Sequence, residues 1–344
     1  MKTSLHLLLL LPLATPSLAQ DGIAVYKIEL DETWSATTHP GAYPKFGGLL
    51  TNFIGASHNS SLSLWQVGAL ASDGMESMAE ASGPGALAVQ IYTAIDAGDA
   101  EQLIYHPFGV PVEVTVTDET PLVTLVSRIF PSPDWFVGVH DLNLYEGGSW
   151  VASKTVELYA YDAGTDSGTD FYSPNLDTDP QDPITLMTGG PFFGTTPLGT
   201  LEFTRLASVE PYGCGLNPAG SLTSDEPPHV GELLTFFVDD PTGSMGVPST
   251  PLLAVSALAV PAYPCGILVP GLGMVPGTDG ELLLVVPPII ESGADWSGSP
   301  VSVSVQVPDT PTMVGTTFIA QGGLLDLAAG RAGLTQGARC WVGP

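Results

Sequence analysis

Phe130-Pro131-Ser132-Pro133-Asp134-Trp135 stands between two β-rich runs, residues 122–130 before it and residues 135–145 after it. Proline donates no backbone hydrogen bond, so Pro131 and Pro133 end the first run and hold Asp134 at its tip. The second run descends from Trp135, Gly147-Gly148 turns the chain, and residues 151–161 rise again. This up-down-up path returns Asp162 to the edge that carries Asp134. Tyr161-Asp162-Ala163-Gly164-Thr165-Asp166-Ser167-Gly168 follows, and Gly164 permits a curl tight enough to turn Asp162 and Asp166 toward one centre. Three carboxylates at one end of a sheet repel one another unless a cation sits among them. Ca²⁺ takes six to eight oxygens in flexible geometry and suits such a set better than Mg²⁺ with its strict octahedron. The same residues also suit plain turn chemistry, each side chain bonding its own backbone. Residue types and spacing leave both readings open. An EF-hand is excluded, because Ser167 replaces the required glycine and Ser173 stands where a bidentate glutamate belongs.

Outward from this hairpin the chain is punctuated by 40 glycines and 32 prolines between short β-rich runs. That texture predicts an all-β protein built from antiparallel sandwiches. Strands are predicted over residues 24–30, 61–67, 112–117, 122–130, 151–161 and 200–206. Residues 73–81 read as a short helix, residues 86–97 fit either helix or strand, and residues 175–182 read as an acidic loop. A boundary is expected near residues 207–215. Beyond it, residues 233–238, 252–260, 281–286, 301–307 and 316–321 predict a second β-sandwich without a helix of note.

Lys2, an apolar run over residues 7–13 and the small residues Ser17-Leu18-Ala19 make the pattern of a signal peptide over residues 1–19. The apolar run is too short to span a bilayer. The expected mature chain of roughly 325 residues accommodates two domains, residues 20–208 and 209–344. The formal net charge is −28, which repels nucleic acid and anionic membrane surfaces. Charged residues make up only 13% and hydrophobic ones 44%, so this is a chain with cores and not a disordered acidic tail. All three cysteines lie in the C-terminal part. An exported chain permits disulfides, and the turn-rich contexts of Cys214-Gly215 and Pro264-Cys265-Gly266 favour that pair. Cys340, four residues from the end, is then expected to be an accessible thiol.

The N-terminal part resembles the spondin N-terminal domain, the module of F-spondin and mindin. The resemblance is carried by Trp34-Ser35 with His39-Pro40, by Gly55-Ala56-Ser57-His58-Asn59 before Leu64-Trp65, and by Ala71-Ser72-Asp73-Gly74 before Met78-Ala79-Glu80. It continues through Pro131-Ser132-Pro133-Asp134-Trp135, Tyr161 to Gly168, Ser173-Pro174-Asn175 and Pro180-Gln181, over about residues 22–208. It implies a β-sandwich similar to calcium-dependent lipid-binding modules. It also implies a Ca²⁺ ion held by loop aspartates, which fall here on Asp134, Asp162 and Asp166. The chain lacks the cysteines that usually accompany the animal domain, and no thrombospondin repeats follow. The C-terminal part is similar to a β-rich terminal domain of exported bacterial proteins, through Phe236-Phe237-Val238-Asp239, Tyr263-Pro264-Cys265-Gly266 and Phe318-Ile319-Ala320-Gln321-Gly322. No activity attaches to that likeness.

The remaining chemistry is sparse. His39, His58, His106, His140 and His229 form no zinc spacing, and neither a G-x-S-x-G nor a phosphate-binding loop occurs. Trp34, Trp65, Trp135 and Trp150 read as core, not as a sugar platform. Asp141 and Asp170 read as solvated. The expectation is therefore a secreted, non-enzymatic calcium-binding protein for extracellular adhesion or recognition, with an extracellular protein or glycan as partner. Two alternatives stand beside it. One is a secreted hydrolase with an unrecognised site. The other is a structural calcium domain joined to a C-terminal surface-attachment module.

Overall fold

The computed structural model describes residues 22–344 except 81, 82, 108, 193–195, 261–264 and 286–288. The predicted signal peptide lies outside the described residues. The strands Leu122–Phe130, Trp135–Asn143 and Ala160–Asp162 pair antiparallel in that order, with Asp162 opposite Trp135. The predicted up-down-up path is therefore present, and it delivers Asp134 and Asp162 to one edge. The expected rising strand over residues 151–161 is not continuous. Ser153–Leu158 pairs with Gly199–Tyr212 in a different sheet, and only Ala160–Asp162 joins the Trp135 strand. The chain changes sheets at Tyr159, and each short piece satisfies its backbone in a different ladder.

Two large antiparallel sheets result. A seven-stranded sheet runs Thr185–Leu186, Ala160–Asp162, Trp135–Asn143, Leu122–Phe130, Phe53–His58, Ala100–His106, with Leu49–Leu50 also on Leu122–Phe130. An eight-stranded sheet runs Ile289–Ser292, Thr250–Ser256, Thr317–Asp326, Arg331–Trp341, Gly199–Tyr212, Ile23–Glu32, Val112–Thr117, with Ser153–Leu158 also on Gly199–Tyr212. The two sheets press Tyr26, Val114 and Phe203 against Phe53, Leu125 and Trp135 in the N-terminal core. The other face of the seven-stranded sheet is covered by α1 (Asp73–Glu80) and α2 (Gly85–Ala97), through Met75, Leu87 and Ile91 on Ile54, Val126 and Phe136. The far half of the eight-stranded sheet packs on a three-stranded one, Leu222–Ser224, Leu233–Val238 and Val301–Gln306, around Phe236, Leu253 and Val303. The fold is all-β sandwich architecture with one helical layer.

Residues 86–97 resolve as helix, which ends where Gly98 adopts a left-handed φ of 78° and its N–H reaches the Ala94 and Ile95 carbonyls. The α1 start is set by Ser72, whose Oγ accepts the Met75 N–H at 3.3 Å. Residues 61–67 form no strand. Leu64 and Trp65 are consecutive and both buried, which one face of a pleated strand cannot do. Trp65 instead packs on Phe136, His140 and Tyr161.

The strand Gly199–Tyr212 pairs with Ile23–Glu32 along most of its length and with Arg331–Trp341 from Ser208 onward. The boundary expected at residues 208 and 209 thus falls inside one strand. The N- and C-terminal cores are separate clusters joined by a continuous sheet. Next to that junction, buried Tyr26 donates its hydroxyl to the Val151 carbonyl at 2.6 Å. Tyr26→Phe leaves that carbonyl without its donor and is expected to cost about 1–3 kcal/mol. Urea titration of the two chains checks it.

Cys214 and Cys265 are bonded, with Cα atoms 4.9 Å apart. Cys340 is free, but the expectation of an accessible thiol is overturned. It lies inside the strand Arg331–Trp341, opposite Val209 and Phe318, with no exposed surface. Burial raises its pKa well above the ordinary thiol value, with the Glu210 charge adding to the effect. Two neighbouring ladders prevent the fraying that terminal position alone suggests.

Candidate metal centre

The turn before Asp134 is tied through the hydroxyl and the carbonyl of Ser132. The Ser132 hydroxyl donates to the Ile129 carbonyl at 2.6 Å and accepts the Trp135 N–H at 3.1 Å. Its carbonyl accepts Arg128 Nη2 at 2.7 Å. Asp134 is thereby held rigidly, and its side chain has no exposed surface. One oxygen, Oδ2, accepts the Thr165 N–H at 2.8 Å, the Asp166 N–H at 3.0 Å and the Thr165 hydroxyl at 3.3 Å. The other, Oδ1, is buried without a protein partner. Burial lifts the Asp134 carboxyl to about 6, with the Asp162 charge adding and the three donors opposing.

Asp162 and Asp166 arrive on the loop that caps this turn. Gly164 has a φ of 75°, and a Cβ there would stand 2.1 Å from the Asp182 carbonyl oxygen, so glycine is required twice over. Asp162 Oδ1 accepts the Gly164 N–H at 2.8 Å. Burial raises its pKa, the Gly164 amide opposes, and Asp182 and Asp166 add repulsion. Asp166 is buried and uses both oxygens on its own loop, accepting Gly168 N–H at 2.7 Å and Leu176 N–H at 3.0 Å. Turn chemistry is thus real for Asp162 and Asp166, but it leaves Asp134 Oδ1 unpartnered. The three carboxylates share one rim, but no choice of one oxygen from each sets all three within 4.8 Å of one another, the span that a single ion with bonds of about 2.4 Å bridges. The loop must draw in for one ion to touch all three. Among the described residues, the group that does meet this limit is Cys214, Cys265 and Glu281, whose sulfurs are already bonded to each other.

Glu80, at the end of α1, was not read as a site residue. Burial raises its pKa, a hydrogen bond with Thr165 opposes, and Glu76, Asp166 and Asp177 add charge. Its one sequence signal is its place at the end of Met78-Ala79-Glu80. The rim therefore carries more negative charge than the three aspartates. An orphaned carboxylate oxygen, a raised pKa and crowded negative charge fit a hard oxygen-seeking cation.

The other residues behave as packing groups. Asp170 accepts the Tyr172 N–H at 2.8 Å in an exposed turn. Asp141 is partly exposed, at φ 47°, with His58 Nε2 at 3.6 Å and His140 Nδ1 at 3.3 Å. Buried His58 also meets Thr124 Oγ1 at 2.8 Å, and burial lowers its pKa. Trp34, Trp65, Trp135 and Trp150 are all buried, so none forms a sugar-stacking platform.

The family model described as Spondin_N matches residues 24–192. Spondin-2 of Rattus norvegicus and Spondin-2 of Homo sapiens are each 36% identical over 201 residues, covering 55% of this chain and 59% of each relative. Spondin-1 of Bos taurus is 34% identical over 231 residues, covering 64% of this chain and 27% of the relative. The match spans little more than half the length of the spondin-2 proteins and about a quarter of spondin-1.

Proposed function

Since residues 24–192 form a spondin N-terminal domain, we propose that this chain is an exported calcium-binding protein serving adhesion or recognition outside the cell, without catalysis of its own. The observation that carries the reading is Asp134, a fully buried carboxylate with one oxygen held by three donors and the other unpartnered. Asp134, Asp162 and Asp166 would hold Ca²⁺, and backbone carbonyls and water would complete its six to eight ligands. The ion would supply the positive charge that lets a buried Asp134 stay ionised. It would also fix the loop from Asp162 to Gly168 against the Pro131–Pro133 turn. A fixed loop edge at the end of a sandwich is a surface on which an extracellular protein or glycan could be recognised.

Calorimetry of the chain with Ca²⁺ and with Mg²⁺ tests this reading. Ca²⁺ is expected to bind more tightly than Mg²⁺. Asp134→Asn and Asp162→Asn are expected to weaken Ca²⁺ at least about tenfold, because Asn keeps an oxygen donor and removes charge. Asp170→Asn is expected to leave binding unchanged. Equal losses at Asp134, Asp162 and Asp170 would mean a diffuse acidic field in place of a defined centre.

A further inference from the structure

A second feature lies beside the acidic rim and carries the opposite sign. A pocket of about 150 Å³ opens where the α1–α2 turn meets the sheet, lined among others by Thr51, Asn52, Met78, Pro84, Tyr105 and Arg128. The geometry points to this pocket as a binding site for a compact carboxylate group, held by the Arg128 guanidinium and the positive end of α2.

Arg128 is half-buried and donates Nη2 to the Ser132 carbonyl. Its Nε is buried without a partner, and among the described residues no carboxylate lies within ion-pair distance of the guanidinium. Glu80 and Asp134 are the anions it feels, and both act across a gap. A guanidinium beside open space is a strong request for an anion in a chain with a net charge of −28. The Phe130 ring, 5.4 Å from the guanidinium carbon, flanks it and favours a fixed orientation.

The helix adds an independent contribution. α2 opens at Pro84 with no side-chain cap and no acidic residue in its first turn, so its positive end is uncompensated where Pro84 lines the pocket. Asn52 Nδ2 donates to the Tyr105 hydroxyl at the rim, placing polar groups around the opening. A carboxylate matches the planar fork of arginine and carries one charge, which Glu80 and Asp134 oppose less than the two charges of a phosphate. This assignment stands apart from calcium binding, since none of the pocket's lining residues is a proposed metal ligand.

Nuclear magnetic resonance of the full ¹⁵N-labelled chain at fixed calcium tests it, with acetate as the probe and acetamide as its neutral match. Acetate is expected to give saturable shifts at Arg128 Nε and at the Gly85, Ala86 and Leu87 amides, and acetamide none. Arg128→Gln should abolish them. Asn52→Asp, which sets a carboxylate at the rim without touching the guanidinium, should weaken acetate about tenfold. Because Arg128 also braces Ser132, the Asn52→Asp result decides the matter if Arg128→Gln fails to fold. Equal shifts from acetate and acetamide would overturn the assignment. So would acetate shifts scattered away from the pocket, or unchanged acetate affinity in Asn52→Asp.

Discussion

Adding Ca²⁺ to the calcium-free chain is expected to raise its melting temperature by several degrees and to release protons near pH 6. A ligand that binds only the folded state stabilises it by RT ln(1 + [L]/Kd), about 2.7 kcal/mol at a hundredfold excess over Kd. For a chain of this size each kcal/mol shifts the midpoint by roughly 2–4 °C. The proton release follows from Asp134, whose carboxyl stands at about 6 in the calcium-free fold, above its ordinary value of 3.8. Between those values the folded state holds a proton that the unfolded chain has lost. The stability from this proton is present below the ordinary value and is lost as pH rises through 6, on the order of 2–3 kcal/mol in all. Calcium replaces the proton, so its apparent affinity should climb between pH 5 and pH 7 and then level. Burial also lowers the His58 pKa, which works in the opposite direction below about 6.5. Asp134→Asn separates the two, removing the Asp134 share of the calcium-linked proton release and leaving the histidine contribution. Identical melting curves in calcium and in chelator across a wide concentration range would remove calcium from the account.

How far the sequence reaches depends on whether an element is buried on one face or two. Val112–Thr117 and Leu122–Phe130 match their predicted bounds, and so does Leu233–Val238. Phe53–His58 was not predicted, and all six of its residues are buried, between the facing sheet and the helices. A strand buried on both faces shows no alternation. Gly55 marks it instead, since a Cβ there would meet the Thr124 carbonyl oxygen at 1.8 Å. Arg331–Trp341 was missed for a related reason. Its Gly337 sits where a Cβ would lie 2.7 Å from a Leu283 methyl, so close packing favours small residues that read as turn. At the candidate site the three aspartates were legible through turn chemistry and family likeness. Their partners were not, because Asp134 is held by the Thr165 and Asp166 amides, more than thirty residues further along.

Reducing the Cys214–Cys265 bond is expected to cost the fold about 4 kcal/mol, from a closed loop with a sequence separation of 51. The entropic loss is not the whole effect, because the bond also clamps a buried carboxylate. Glu281 is 1% exposed and accepts the Cys214 N–H at 3.1 Å and the Gly266 N–H at 2.7 Å. Its own backbone is tied to Asn217, with Glu281 N–H on Asn217 Oδ1 at 3.0 Å and Asn217 Nδ2 on the Glu281 carbonyl at 2.8 Å. Opening the disulfide frees the two segments whose amides stabilise that charge, and a buried carboxylate that loses donors destabilises the state that buries it. A Cys214→Ser, Cys265→Ser double variant should therefore unfold at markedly lower urea concentration than the parent. Restoring charge neutrality with Glu281→Gln in that background should recover part of the loss. Thiol counting supplies the companion measurement. The native chain should react with no alkylating reagent, because Cys340 is buried with a raised pKa, and the unreduced, denatured chain should show one thiol. A linked peptide containing Cys340 would overturn the pairing. A double variant as stable as its parent would show instead that the small cluster of Tyr212, Leu283, Leu284 and Ile319 holds the Glu281 segment by packing alone.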